Sequence, residues 1–137
     1  RVVQIFATDL NPAAIAVARK GWYSQQAVAG LSQERLNRFF TPCQGGHLVR
    51  PDLRAMVMFA RHDVIADPPF TQLDLLLCRN LLIYFNASLQ RRLIPLFHFC
   101  LRAGGCLVLG SAETVGRSQN LFKALLPSSV HSLFAGC

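Results

Sequence analysis

The sequence predicts an α/β protein built as a doubly wound sheet. Three observations carry that expectation: short apolar runs alternate with helical patterns, polar or acidic residues stand where the apolar runs end, and turn residues separate the two. The composition agrees, because 137 residues with 52% hydrophobic content suffice for one domain with a real core and exclude intrinsic disorder.

Val2 to Ala7 reads as the first strand, ended by Thr8-Asp9-Leu10. Asn11 then caps a helix with Pro12 at its first position, and Ala13 to Lys20 continue it with good helix formers. Arg19 and Lys20 suit the negative end of the helix dipole, and Gly21 suits a left-handed cap. Asp9 stands at the turn of this unit. An acid there accepts hydrogen bonds from a ribose diol in nucleotide-binding folds, although a cap for the turn explains Asp9 equally well when it is taken by itself.

Ser32 caps a second helix through Phe40, with Leu31, Leu36, Phe39 and Phe40 as its apolar stripe. From Thr41 to Arg54 the chain turns to Pro, Gly and Arg, with turns at Gly45-Gly46 and Pro51-Asp52. A small excursion is expected over residues 41–55, with a hairpin as one form that it could take. Met56 to Ala60 returns as a strand and ends at Arg61-His62-Asp63-Val64, a second acid at a strand edge. Asp67-Pro68-Pro69-Phe70 copies the site motif of methyltransferases that act on amino groups of bases. It precedes a strand where that motif follows one, so it reads as a turn.

Leu73 to Cys78 has the length and continuous apolarity of a strand buried on both faces. Arg79 and Asn80 follow, at the carboxyl edge where ligands sit in open α/β sheets. Their buried donors and acceptors would need partners, whereas a bland reading makes them the start of a loop. Asn86 caps a helix through Leu101 with Leu89, Leu93, Leu96, Phe97 and Leu101 on its apolar face, and Pro95 inside it predicts a kink. Gly104-Gly105 ends that helix, Cys106 to Gly110 is a buried strand, a short helix is expected around Gln119–Leu125, and a strand near Val130–Phe134 closes the fold.

Net charge is +7, from 14 Lys and Arg against 7 Asp and Glu, which permits an acidic partner. The basic residues lie in twos without aromatic interleaving, which argues against nucleic acid. No apolar run approaches the ~18 residues of a membrane span, and the amino terminus lacks a secretion signal, so a cytoplasmic protein without membrane insertion is expected. The five cysteines and four histidines are scattered, with no C-x-x-C pair, so reduced thiols and no metal are expected.

Four segments then carry a resemblance: ATDLNPAAIAVARKGWY, FARHDV, FTQLDLLLCRNLLIYF and LRAGGCLVLGSAE. From about Ile5 to Glu113 they resemble the carboxy-terminal domain of CheR, the chemotaxis protein-glutamate methyltransferases that use S-adenosylmethionine. Residues 47–70 look most like versions fused to a methylesterase. Cys-Arg-Asn-x-x-Ile-Tyr-Phe after a strand is the most specific of these matches.

The resemblance implies a partial Rossmann-like methyltransferase sheet, with S-adenosylmethionine as cofactor and the glutamate-bearing cytoplasmic helices of chemoreceptors as partners. It implies that Asp9 receives the ribose hydroxyls, that Asp63 and Val64 meet the adenine, and that Arg79 and Asn80 line the cofactor beside the methyl donor. Tyr84 would stand at the transfer site. The position of Asp63 is often asparagine in the family, so here a carboxylate would accept from the exocyclic amine. Arg102-Ala103-Gly104-Gly105 lacks the family's usual proline.

In the family a glycine-rich strand-turn and a helical domain precede these segments. No such loop is present in residues 1–137, so the stretch is expected to be a methyltransferase domain fragment lacking the first strand, with upstream domains as partners and little activity alone. Two other readings stay open: a non-catalytic SAM-binding or scaffold module, and an NAD-dependent oxidoreductase, which would share the strand-Asp-helix unit but gives Arg79-Asn80 and Tyr84 no role.

Overall fold

The computed structural model describes residues 2–127 and 131–136, which fall into two compact units, Arg1–Asp63 and Val64–Cys137. The architecture is mixed α/β with several sheets.

In the first unit, strand β1 (Ile5–Asp9) pairs in parallel with β5 (Val57–Arg61), Ile5 opposite Val57 and Asp9 opposite Arg61. The strand starts at Ile5 and not at Val2, because the Ile5 N–H to Met56 O bond, 2.8 Å, opens the ladder. Helix α1 (Pro12–Lys20) follows as expected: the Asn11 side chain accepts from the Ala13 N–H at 2.9 Å, and Gly21 closes the helix at φ +68°.

The excursion is larger than residues 41–55. Strands β2 (Trp22–Ser24), β3 (Phe40–Cys43) and β4 (Gly46–Val49) form an antiparallel sheet in the order β2-β4-β3, with helix α2 (Gln33–Phe39) inserted and capped by Ser32. Gly46 must be glycine, since a Cβ there would lie 2.5 Å from the Tyr23 carbonyl and 2.6 Å from the Trp22 ring. The turn expected at Pro51-Asp52 is the start of helix α3 (Pro51–Ala55), where the fixed φ of proline suits the first helical position.

The second unit holds a four-stranded sheet in the order β6 (Leu73–Cys78), β7 (Leu101–Gly110), β9 (His131–Gly136), β8 (Phe122–Pro127). β6 and β7 are parallel and are connected through helix α4 (Ala87–Cys100), while β7–β9 and β8–β9 are antiparallel. α4 buries Leu93, Ile94, Phe97 and Cys100, and the first three join the core cluster of Leu107 and Leu109 of β7, which are fully buried. Asn86 caps α4, and the helix continues through Pro95, whose ring is on the exposed face.

Three expectations are corrected here, and the bounds of a fourth are adjusted. The helix around Gln119–Leu125 is strand β8: a short apolar run fits either state, and pairing with β9 plus burial of Phe122 against Phe134 decides it. The closing strand runs His131–Gly136, and Val130 lies outside the described residues. Gly104-Gly105 lies inside β7 and not at a helix end; Gly104 has φ +75°, the register slips between Leu73 and Leu75, and a Cβ on Gly105 would come within 2.8 Å of the Leu73 carbonyl. Finally, β6 is buried on one face only, since Leu75 is 52% and Leu77 64% exposed. Among the described residues no helix is long and apolar enough to cross a membrane.

Candidate functional site

The predicted site residues divide between the two units: Asp9 and Asp63 in the first, Val64, Arg79, Asn80 and Tyr84 in the second. Asp9 lies at, and Asp63 just beyond, the carboxyl ends of the parallel pair β1/β5, and Arg79, Asn80 and Tyr84 follow the carboxyl end of β6 in the parallel pair β6/β7, the edge at which α/β sheets bind ligands.

In the first unit Asp9 is the last residue of β1. One carboxylate oxygen accepts the Asn11 N–H at 2.8 Å, and the Asp9 carbonyl accepts the His62 N–H at 3.2 Å. The Arg61 Nε donates to the Leu10 carbonyl at 3.2 Å, so the exits of β1 and β5 are tied together. Asp63 follows two residues beyond the end of β5 and is half-buried. The structure thus shows the turn-bracing role of Asp9, whose side chain is otherwise exposed at the strand exit.

In the second unit Val64 packs against the core, and Arg79 and Asn80 leave β6 as exposed residues. Asn80 has φ +57°, in the left-handed region that few residues other than glycine adopt. The turn it begins is held by Glu113, just past the end of β7. Glu113 Oε2 accepts the Asn80 N–H at 3.0 Å and the Gly110 N–H at 2.7 Å, while Oε1 accepts the Leu81 and Leu82 N–H groups, both at 2.8 Å. Glu113 is only 5% exposed, and these four charge-assisted bonds offset the desolvation of its carboxylate.

The same segment is gripped from α4. Gln90 Nε2 donates to the Leu82 carbonyl at 2.8 Å and to the Phe85 carbonyl at 3.0 Å. Between these anchors a single 3-10 turn, Leu82–Tyr84, buries Leu82 and leaves Tyr84 77% exposed. Tyr84 is thus an accessible phenol on a fastened turn.

Cys78 ends β6 beside Arg79 and invites a nucleophilic reading. Burial, and secondarily the Glu113 carboxylate, push its thiol up to about 12, so it stays protonated and packs as a small apolar side chain. The site offers fixed polar groups and no activated nucleophile. A separate cleft of about 260 Å³ in this unit, between Ile65, Asp67 and Pro69 and the α4 residues Leu89, Leu93 and Leu96, includes none of the predicted site residues.

Glu113 and Gln90 escaped the sequence reading. Glu113 does have a signature, a lone acid three residues after the glycine that ends an apolar strand. Nothing in its spacing shows that it reaches the exit of the other strand of the pair.

The matches to known proteins cover most of the chain. Residues 1–130 match the family described as CheR methyltransferase, SAM binding domain. An uncharacterized 104.1 kDa protein of Rhodobacter capsulatus is 42% identical over 123 residues, 90% of this chain and 13% of that protein. The putative methyltransferase Cher3 of Pseudomonas putida is 40% identical over 119 residues, 81% of this chain and 44% of its own length. Chemotaxis protein methyltransferase 1 of Pseudomonas aeruginosa is 37% identical over 116 residues, 82% of this chain and 42% of that one. The chain spans less than half the length of these relatives.

Proposed function

The chain belongs to the CheR methyltransferase family, in its SAM-binding domain, and from that premise we propose that its protein methylates glutamate side chains of chemoreceptors, forming glutamyl methyl esters. S-adenosylmethionine is the cofactor of this domain. In this reading residues 1–137 are part of one methyltransferase domain with a partial Rossmann-like sheet, acting in the cytoplasm on the receptors' helical segments.

The residues present suit that cofactor. Asp9 holds an exposed carboxylate at a strand exit, as a ribose diol requires. Asp63 and Val64 take the adenine, the carboxylate accepting from its exocyclic amine. Arg79 and Asn80 line the cofactor beside the reacting group.

When bound, S-adenosylmethionine supplies an electrophilic methyl group on a sulfonium: a glutamate carboxylate oxygen takes the methyl carbon, and the sulfur keeps the electron pair of the broken bond. No proton has to move, because glutamate is ionised near neutral pH. The protein's work is alignment and exclusion of water. Tyr84 orients the incoming carboxylate and is not needed as a base. The net charge of +7 favours an acidic partner.

The observation that carries this reading is the family match over residues 1–130, which includes every residue assigned a role. The test is calorimetric titration of S-adenosylmethionine into the full-length protein, followed by transfer of a labelled methyl group to chemoreceptor. Binding, together with label released by alkali as methanol, is the expected result. Binding without transfer would favour a SAM-binding scaffold, and no binding would overturn both.

A further inference from the structure

We propose that Glu113 is a positioning residue for the cofactor site, acting through Asn80, with Gln90 as its counterpart on α4. The inference rests on the reading of Asn80 and Tyr84 as site residues.

Four backbone N–H groups converge on one buried carboxylate, three from the turn after β6 and one from the end of β7. An ionised carboxylate suits such a place because it only accepts, on both oxygens. A glutamine of the same shape keeps one accepting oxygen and turns an NH₂ group towards donors that it cannot satisfy. The position therefore requires the charge as well as the volume.

A residue other than glycine in the left-handed region persists when its surroundings over-determine it. Here the Glu113 bond to its N–H, and the Gly110 backbone, where an added Cβ would lie 3.0 Å from Asn80 Oδ1 and 2.9 Å from Glu113 Oε2, fix both its backbone and the space around its amide. Glu113 touches neither the exposed Arg79 nor Tyr84 in any of these bonds. It holds the main chain that carries them.

Gln90 grips the opposite face of the same loop: it donates to the carbonyls of Leu82 and Phe85, so the segment from Asn80 to Phe85 has its first three N–H groups held by Glu113 and two of its carbonyls held by Gln90. The rigid loop is pre-organised, which raises affinity by removing the ordering that binding would otherwise impose.

The test uses the full-length protein, comparing wild type with Glu113→Gln, Gln90→Met and Arg79→Ala well below the melting transition. Glu113→Gln is expected to raise the Kd and KM for S-adenosylmethionine roughly tenfold, with a smaller change in kcat and an unchanged KM for receptor. Gln90→Met is expected to raise the same Kd several-fold. A merely structural Glu113 would lower Tm and leave the cofactor Kd of the folded protein at the wild-type value, and that result overturns the proposal. If Glu113→Gln does not fold, wild-type Kd in Gln90→Met overturns it instead. Unchanged binding in Arg79→Ala would overturn the site assignment itself, an outcome distinct from failure of the Glu113 variant alone.

Discussion

Gly110 and Asn80 face each other across the exits of β7 and β6, so closely that a Cβ on Gly110 would stand 3.0 Å from Asn80 Oδ1. Gly110→Ala should force the turn or the Glu113 carboxylate to shift. We expect a loss of about 1–3 kcal/mol in urea unfolding, the range of overpacking. Wild-type stability would show that the exits have slack.

Asn80 separates backbone strain from side-chain chemistry. At φ +57° glycine is unstrained, whereas a β-branched residue is not. Asn80→Gly should stay within about 0.5 kcal/mol of wild type, while Asn80→Val should lose about 1–2 kcal/mol. Denaturant titrations check both, and cofactor binding by Asn80→Gly then reports the amide alone.

Cys78 should resist alkylation in the folded protein, because burial holds its thiol at about 12 against an ordinary 9.0. Below pH 9 both folded and unfolded chains keep the proton, so the group adds no pH dependence. Between pH 9 and 12 the unfolded thiol ionises while folded Cys78 does not. Stability should then fall with a slope approaching about 1.4 kcal/mol per pH unit from this group. Cys78→Ala should flatten that slope, measured as Tm against pH.

Arg102 and Asp74 form an ion pair whose side chains are 52% and 78% exposed. Exposed pairs contribute little, so a double-mutant cycle through Arg102→Ala and Asp74→Ala should give a coupling below about 1 kcal/mol. A larger value would mean that the pair pins the bulged start of β7 near Leu73.

Local chemistry was legible in the sequence. Asn11, Ser32 and Asn86 each cap the helix expected of them, since a short polar side chain before a helical pattern has few other uses. The family resemblance was equally legible, because Cys78-Arg79-Asn80 through Phe85 is a specific string. Elements decided by long-range pairing were not. Phe122 to Leu125 suits a helix or a strand until β9 lies beside it, and Trp22 to Ser24 is too short to show as a strand before Gly46 to Leu48 pairs with it. Glu113 belongs to the same class: its partners lie up to 33 residues away, and no local pattern encodes that distance.

The one-sided burial of β6 has a consequence for handling the protein. Within its unit this strand is at the edge of the sheet, and it shows Leu75 and Leu77 to solvent on one face. An apolar strand with an open ladder is a template for strands of other molecules, and it carries one charged side chain, Asp74, as a deterrent. Wherever no other strand covers that edge, self-association that grows with concentration should begin at the strand that delivers Arg79 and Asn80, so that clumping would distort the turn that Glu113 holds.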